Sequence, residues 1–141
     1  MIEQITVFLE NDRGRLASIC RSLGDAGISM SLLTVADTAN YGVARIICGT
    51  PRRACEVLNE AGHRARITPV CAISIPDEPG GLATLFEVFD KAELNIEYAY
   101  CFKTSSGEAI NVLRVDDERL LLDIAATAGF KVLKPEDVYP V

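Results

Sequence analysis

The chain has 141 residues, of which 49% are hydrophobic and 24% are charged, a composition typical of a globular protein rather than a disordered one. Its net charge of −6 argues against binding to nucleic-acid phosphates, because that needs a basic surface. The first residues lack the basic start and apolar run of a signal peptide, and no stretch has the length of a membrane span, so we expect a cytoplasmic protein without a membrane partner.

The first half of the chain predicts six elements in the order β-α-β-β-α-β. A strand is predicted where apolar residues alternate at 5–9. A helix follows, since apolar residues recur at the spacing of one helix face, at Leu16, Ile19, Cys20 and Leu23. Strands are then predicted at 31–37 and 42–49, a second helix from Pro51 to Gly62, and a last strand at 64–70.

The second half predicts the same order again. A strand at 72–75 precedes a helix whose apolar face consists of Leu82, Leu85, Phe86 and Phe89. Strands at 97–103 and 108–115, a helix that ends at Gly129 and a strand at 130–133 complete the copy. The strand 97–103 carries Tyr98, Tyr100 and Phe102 on one side. Such an aromatic stripe favours the core of a sheet, with a subunit or ligand contact as the alternative.

An internal repeat relates the two halves. The segment 11–17 aligns with 77–83, and Gly80 stands 66 residues after Gly14. The repeat predicts units at 1–68 and 69–141, and the fold class α+β: two ferredoxin-like βαββαβ units, each an antiparallel sheet with its helices on one face. Because units of about 65 residues are only marginally stable alone, we expect a homodimer.

The loops that precede the first helix of each copy are candidate binding sites. Gly14, Gly80 and Gly81 lie at predicted helix starts, where unpaired N–H groups attract anions and glycine lets a ligand approach the backbone. Asn11 and Asp77 lie three residues before Gly14 and Gly80, and could bind a polar ligand group or merely cap the helices.

The two loops differ in charge. The first holds Arg13 and Arg15, and the second holds Asp77 and Glu78. We therefore expect a ligand carboxylate to favour the first loop and a ligand ammonium group to favour the second.

The Asn-or-Asp…Gly-x-Leu-Ala loops at 11–17 and 77–83, with Asn95-Ile96 opening a strand, resemble those of a tandem pair of ACT domains, which are amino-acid-binding regulatory modules. The resemblance covers residues 2–134. It implies that a ligand lies between two ACT units. Carried over by position, it implicates Asn11 and Gly14 with Ser29 in the first copy, and Asp77 and Gly80 with Asn95 in the second. The predicted binding residues also include the loop neighbours of these positions, Asp12, Arg13, Arg15, Leu16, Glu78, Pro79, Gly81 and Leu82.

The copies depart from the family pattern in different ways. Arg13 stands where Pro79 matches the common proline, and Ser29 stands where Asn95 matches the common asparagine. The two sites are therefore not expected to be equivalent.

Few residues suit catalysis, a metal or a cofactor. The five cysteines form no C-x-x-C pair, so we expect small buried hydrophobes, and the single histidine, His63, is expected to be a boundary residue at a helix end. The acidic residues are scattered, which ranks a small ferredoxin-like enzyme lowest. We expect neither a metal site nor a cofactor.

The sequence thus predicts a stand-alone regulator, not an enzyme, that binds a free amino acid or a similar small carboxylate between ACT units. The alternative is an interaction or dimerisation module that docks on a metabolic enzyme or transcription factor without binding a ligand. Gly14 and Gly80 favour the first interpretation, because a purely interacting module would not need both glycines.

Overall fold

A computed structural model describes residues 1–10, 12–37 and 41–139 of the chain. These residues form two compact units. One consists of Glu3–Pro69 with Val138 and Tyr139, and the other of Met1–Ile2 with Val70–Asp137. The limits at 1–68 and 69–141 did not anticipate this exchange of the chain ends.

The first unit contains β1 (Ile2–Glu10), α1 (Arg15–Asp25), β2 (Met30–Asp37), β3 (Tyr41–Cys48), α2 (Pro51–Glu60) and the start of β4 (Arg64–Pro76). Its sheet has the order β2-β3-β1-β4. β3 runs antiparallel to both of its neighbours, with Val7 opposite Ala44. Strand order and helix placement are those of a ferredoxin-like fold.

The second unit takes up the rest of β4 and adds α3 (Gly81–Lys91), β5 (Ile96–Lys103), β6 (Glu108–Val115), α4 (Glu118–Ala128), β7 (Lys131–Val132) and most of α5 (Pro135–Val138). β4 pairs with β6 and β7, and β6 pairs with β5, all antiparallel, which gives the order β7-β4-β6-β5. The predicted α+β class with two βαββαβ units is therefore confirmed. The short α5 was not predicted.

β4 is one strand of 13 residues, where the sequence suggested separate strands at 64–70 and 72–75. Residues 70–75 are all buried, and a continuous apolar run of this kind is typical of a buried strand. Pro69 interrupts the sequence pattern but not the strand, since proline is tolerated where no ladder N–H is required.

Each unit packs its two longer helices on one face of its sheet. The first core contains Ile5, Val7, Ile19, Leu23, Ala44, Ile46, Ala54 and Leu58, and the second contains Cys71, Ile73, Leu85, Phe89, Leu113, Leu121 and Ala125. The first residue of each predicted stripe behaves differently, because Leu16 is 39% exposed and Leu82 is 40% exposed. Both leucines belong to the first turn after a glycine loop.

The aromatic stripe of β5 lies on the face opposite the helices, so the expectation that it belongs to the helix-covered core is wrong. A register shift between Ile96 and Tyr98 reverses the faces of the strand. Ile96 therefore packs against the core, whereas Tyr98 pairs with Arg114 on the other face. Tyr98, Tyr100 and Phe102 are half-buried there.

The C-terminal residues complete the first unit. The Tyr139 hydroxyl accepts a hydrogen bond from the Glu3 backbone N–H at 2.8 Å and donates one to the Glu3 carbonyl at 2.9 Å. Burial raises the pKa of the Tyr139 hydroxyl above its ordinary value. Within the described ranges, no helix is long and apolar enough to cross a membrane.

Candidate functional site

The two glycine loops have the same backbone geometry. Gly14 precedes α1 with φ 88° and ψ −4°, and Gly80 precedes α3 with φ 85° and ψ −6°. This left-handed conformation is strained for residues with a side chain, which explains a glycine at both positions. The Cβ atom of a larger residue would meet no atom within 4 Å at either glycine, so both backbones face open space.

Neither loop contributes a side-chain cap from the described residues. α4, by contrast, is capped by Asp117, whose carboxylate accepts a hydrogen bond from the Leu120 N–H at 3.0 Å. α2 begins with Pro51, which has no N–H to satisfy. The Arg15 N–H donates to the Asp12 carbonyl at 3.5 Å and the Gly81 N–H to the Glu78 carbonyl at 3.1 Å, so an anion would bind the N–H groups that follow them in each first turn.

Asp77 does not cap α3. Its carboxylate pairs with Lys103 Nζ at 3.0 Å, and its N–H donates to the Gly107 carbonyl at 3.0 Å. Asp77 is therefore held to the turn between β5 and β6. Asn11, for which the same role was considered, lies outside the described residues, so its role stays a prediction.

The first loop is less positive than its arginines suggest. Arg15 Nη2 lies 3.0 Å from a Glu10 carboxylate oxygen and 3.8 Å from an Asp12 carboxylate oxygen. Both carboxylates lie next to Arg15, and together they equal in number the positive charges of Arg13 and Arg15. The preference of a ligand carboxylate for this loop was predicted from Arg13 and Arg15 alone, without Asp12 and without Glu10, whose position next to Arg15 depends on the fold.

A cavity of about 470 Å³ lies beside the second loop. It brings together four of the predicted site residues, Glu78, Pro79, Gly80 and Gly81. Asp77 and Leu82 do not line it. The remaining lining residues are Ser74, Ile75, Pro76, Thr84, Glu108, Gly129, Phe130 and Lys131. None of these was predicted.

This cavity carries charges of both signs at its wall. Glu78, Glu108 and Lys131 all line it, and none of the three forms an ion pair with another described residue. Thr84 Oγ1 donates a hydrogen bond to the Gly80 carbonyl at 3.1 Å, so this carbonyl already has a partner within the chain. A Cβ atom on Gly81 would come within 3.1 Å of the Pro76 carbonyl oxygen, so a side chain would be crowded there.

The predicted residues that precede the second strand of each copy lie elsewhere. Asn95 lines a different cavity of about 410 Å³, together with Phe86, Glu87, Asp90, Leu94 and Ile96. Ser29 is exposed between α1 and β2. The structure thus does not bring Asn95 into the cavity beside Gly80. The joint use of these positions that the resemblance implies would need a neighbouring unit.

A further cavity, of about 310 Å³, lies in the first unit and is lined by Phe8, Leu9, Glu10, Tyr41 and Arg64. None of its lining residues belongs to the predicted set. A signal was nevertheless present in the repeat. Because Gly62 aligns with Gly129, Arg64 aligns with Lys131, and both are lining residues of a cavity.

His63 is buried and hydrogen-bonded, whereas the sequence predicted only a boundary residue at a helix end. Its Nε2 atom is hydrogen-bonded to Ser18 Oγ on α1 at 3.1 Å, and its backbone N–H donates to the Leu58 carbonyl at 2.9 Å. Burial lowers the pKa of the His63 imidazole, and the positive charge of Arg15 lowers it further. His63 therefore joins α1 to the segment before β4 as a neutral ring.

The lowered pKa of His63 predicts a stability that depends on pH. The unfolded chain binds the proton more tightly, so the stabilising contribution is complete above about pH 6.5 and is lost as the pH falls towards the folded-state pKa. Urea unfolding at pH 7.5 and 5.5 should show a larger loss for the natural chain than for His63→Gln. Each tenfold difference in proton affinity is worth about 1.4 kcal/mol. Identical losses in both proteins would assign the effect to other groups.

Two of the five cysteines, Cys48 and Cys71, are buried, as expected for small structural side chains. Burial raises the pKa of the Cys71 thiol to about 11 and also raises that of Cys48, so neither forms a reactive thiolate at neutral pH. Cys101, however, is exposed, contrary to the expectation of buried cysteines, and it lies on β5, the edge strand of its sheet. Among the residues that the structure describes, no three His, Cys, Asp or Glu side chains are grouped to hold a metal.

Known structures resemble the whole chain. Protein BT0572 from Bacteroides thetaiotaomicron is 29% identical, with a TM-score of 0.91 over 99% of this chain and 96% of that one. The regulatory subunits of aspartate kinase from Thermus thermophilus and Thermus flavus share the fold of this chain, with sequence identities of 19% and 20% and TM-scores of 0.63 and 0.61. They cover 89% and 90% of this chain, and 91% and 92% of theirs. No curated protein matches the chain. The family described as ACT domain pair matches residues 1–135, and the chain therefore belongs to the ACT family as a pair of ACT domains.

Proposed function

We propose that the chain is a regulatory module, not an enzyme, that binds a free amino acid or a similar small carboxylate. The observation that carries this proposal is the repeated glycine loop. Gly14 and Gly80 adopt the same left-handed conformation, each before a helix without a side-chain cap from the described residues. A helix start with available N–H groups attracts a carboxylate, and the missing side chain leaves room for it.

The cavity beside Gly80 supports the second unit as the main site. Its volume of about 470 Å³ falls within the range of roughly 300–1,000 Å³ that small-molecule sites occupy. Lys131 and the first turn of α3 would attract the carboxylate of an amino acid, whereas Glu78 and Glu108 would attract its ammonium group. The proposed site therefore binds the carboxylate in the second unit, whereas the sequence predicted that the carboxylate favours the first loop.

Two exposed leucines support binding at an interface between ACT units. Leu16 and Leu82 occupy equivalent repeat positions, each two residues after a loop glycine, and each is about two-fifths exposed. A neighbouring ACT unit, as in a homodimer, would remove this apolar surface from water beside the ligand. If no ligand binds, the same leucines favour the alternative, a module that docks on a metabolic enzyme or transcription factor.

A thermal-shift screen of the full chain against the twenty amino acids, at millimolar concentration, tests the proposal. At a hundredfold excess over Kd, a ligand should stabilise the fold by about 2.7 kcal/mol, which melting measurements detect. The amide and the N-acetyl derivative of the best ligand are the controls, since each removes one of the two charges that the cavity complements. The proposal is refuted, and the docking alternative supported, if no amino acid raises the melting temperature.

A further inference from the structure

The two units carry cavities at equivalent positions. Residues 8–10, at the end of β1, line the cavity of the first unit, and residues 74–76, which the repeat aligns with them, line that of the second. Arg64 and Lys131, each the first residue of its unit's last strand, complete the correspondence. Four lining residues of the first cavity thus align with lining residues of the second, although the counterparts of Gly80 and Gly81 do not line the first.

The cation of the first cavity is not compensated. Arg64 is exposed and forms no ion pair with another described residue, whereas Arg15, Arg21 and Arg52 of the same unit pair with carboxylates at 3.0 to 3.3 Å. Among the described lining residues, the only acidic one is Glu10, which pairs with Arg15 at 3.0 Å. The cavity therefore presents an arginine that has no ion-pair partner among the described residues.

Aromatic side chains account for most of the other described surface of this wall. Phe8 and Tyr41 contribute two aromatic rings, whereas the Leu9 side chain packs in the core of the first unit. The Arg66 guanidinium carbon lies 5.1 Å from the centre of the Phe8 ring. In the second unit, Ser74 takes the position of Phe8 and Gly107 that of Tyr41. The cavities consequently differ in volume, about 310 Å³ against 470 Å³, and in polarity.

We infer that the first unit holds a separate binding site for a small carboxylate with an aromatic or aliphatic body. Arg64 binds the carboxylate, and the rings of Phe8 and Tyr41 contact the body of the ligand. The inference goes beyond the proposed amino-acid site, because it concerns the other unit and uses none of the residues around Gly80. One chain would then respond to two chemically distinct ligands.

Two probes that differ only in their charge test this site in the full chain. Titration calorimetry should show binding of 3-phenylpropanoate, and binding of 3-phenylpropan-1-ol that is weaker by roughly tenfold or more, since the alcohol lacks the anionic group. Arg64→Gln should weaken binding of the acid to a similar extent. Lys131→Gln, the matched variant in the second unit, should change its affinity by less than about twofold.

Three results would overturn the inference: no binding of the acid at millimolar concentration, equal affinity for the acid and the alcohol, or the same loss in Arg64→Gln and Lys131→Gln. Tyr41→Ser adds a second readout, because Tyr41 is 48% exposed and its replacement should leave folding intact while weakening the contact with the ligand body. An unchanged affinity in Tyr41→Ser would refute the placement of that body. Amino-acid binding at Gly80 uses other residues, so either site can fail without the other.

Discussion

Replacing Phe89 with alanine is expected to lower the free energy of unfolding by about 3–5 kcal/mol. Phe89 is fully buried on α3, in the core of the second unit, with its ring centre 6.2 Å from that of Phe130. The substitution removes the apolar side chain and leaves a cavity that the packed sheet and helices cannot fill. Urea unfolding at equilibrium, followed by circular dichroism, measures the loss.

Phe86→Ala is the matched control for this loss. Phe86 lies one turn earlier on α3 and is only half-buried, so the same change of residue type should cost clearly less. Equal losses in the two variants would mean that the burial of Phe89 does not determine its contribution. A loss below about 1.5 kcal/mol for Phe89→Ala would contradict the packing described for this core.

The Gly80→Val variant is expected to lose the response to the amino acid, with an affinity lower by roughly tenfold or more. The valine side chain would project into the open space beside the loop, where the ligand carboxylate should approach the first turn of α3. Valine is also strained at φ 85°, so the unliganded protein should lose about 1–3 kcal/mol of stability. Calorimetric titration with the amino acid selected by the screen measures the affinity.

Gly14→Val separates strain from ligand binding. Gly14 has almost the same backbone angles as Gly80 and the same open space around its Cβ position, so both variants should lose similar stability. Only Gly80→Val should abolish binding if the second unit holds the main site. Equal loss of binding in both would indicate a site that uses both loops, and unchanged binding in both would refute the role of the glycines.

Local sequence patterns were sufficient to predict the order and type of most elements. Alternation along strands and the helical spacing of apolar residues depend only on neighbours in the chain, so they can be recognised in the sequence alone. The repeat then showed that the order occurs twice. The glycines at 14 and 80 were also identifiable, because a left-handed residue before a helix has a strong local preference for glycine.

The tertiary structure decided the features that depend on residues distant in sequence. The partner of Asp77 is Lys103 on β5, and the cavity beside Gly80 includes Lys131 from β7. The alternation of the β5 aromatics was predicted from the sequence, but a register shift of one residue places them on the sheet face opposite the helices. The charge of a site, the residues that line it and the sheet face on which it lies all depend on which strands and helices meet there. The sequence pattern of each element leaves that undetermined, because packing between elements is set by the whole chain.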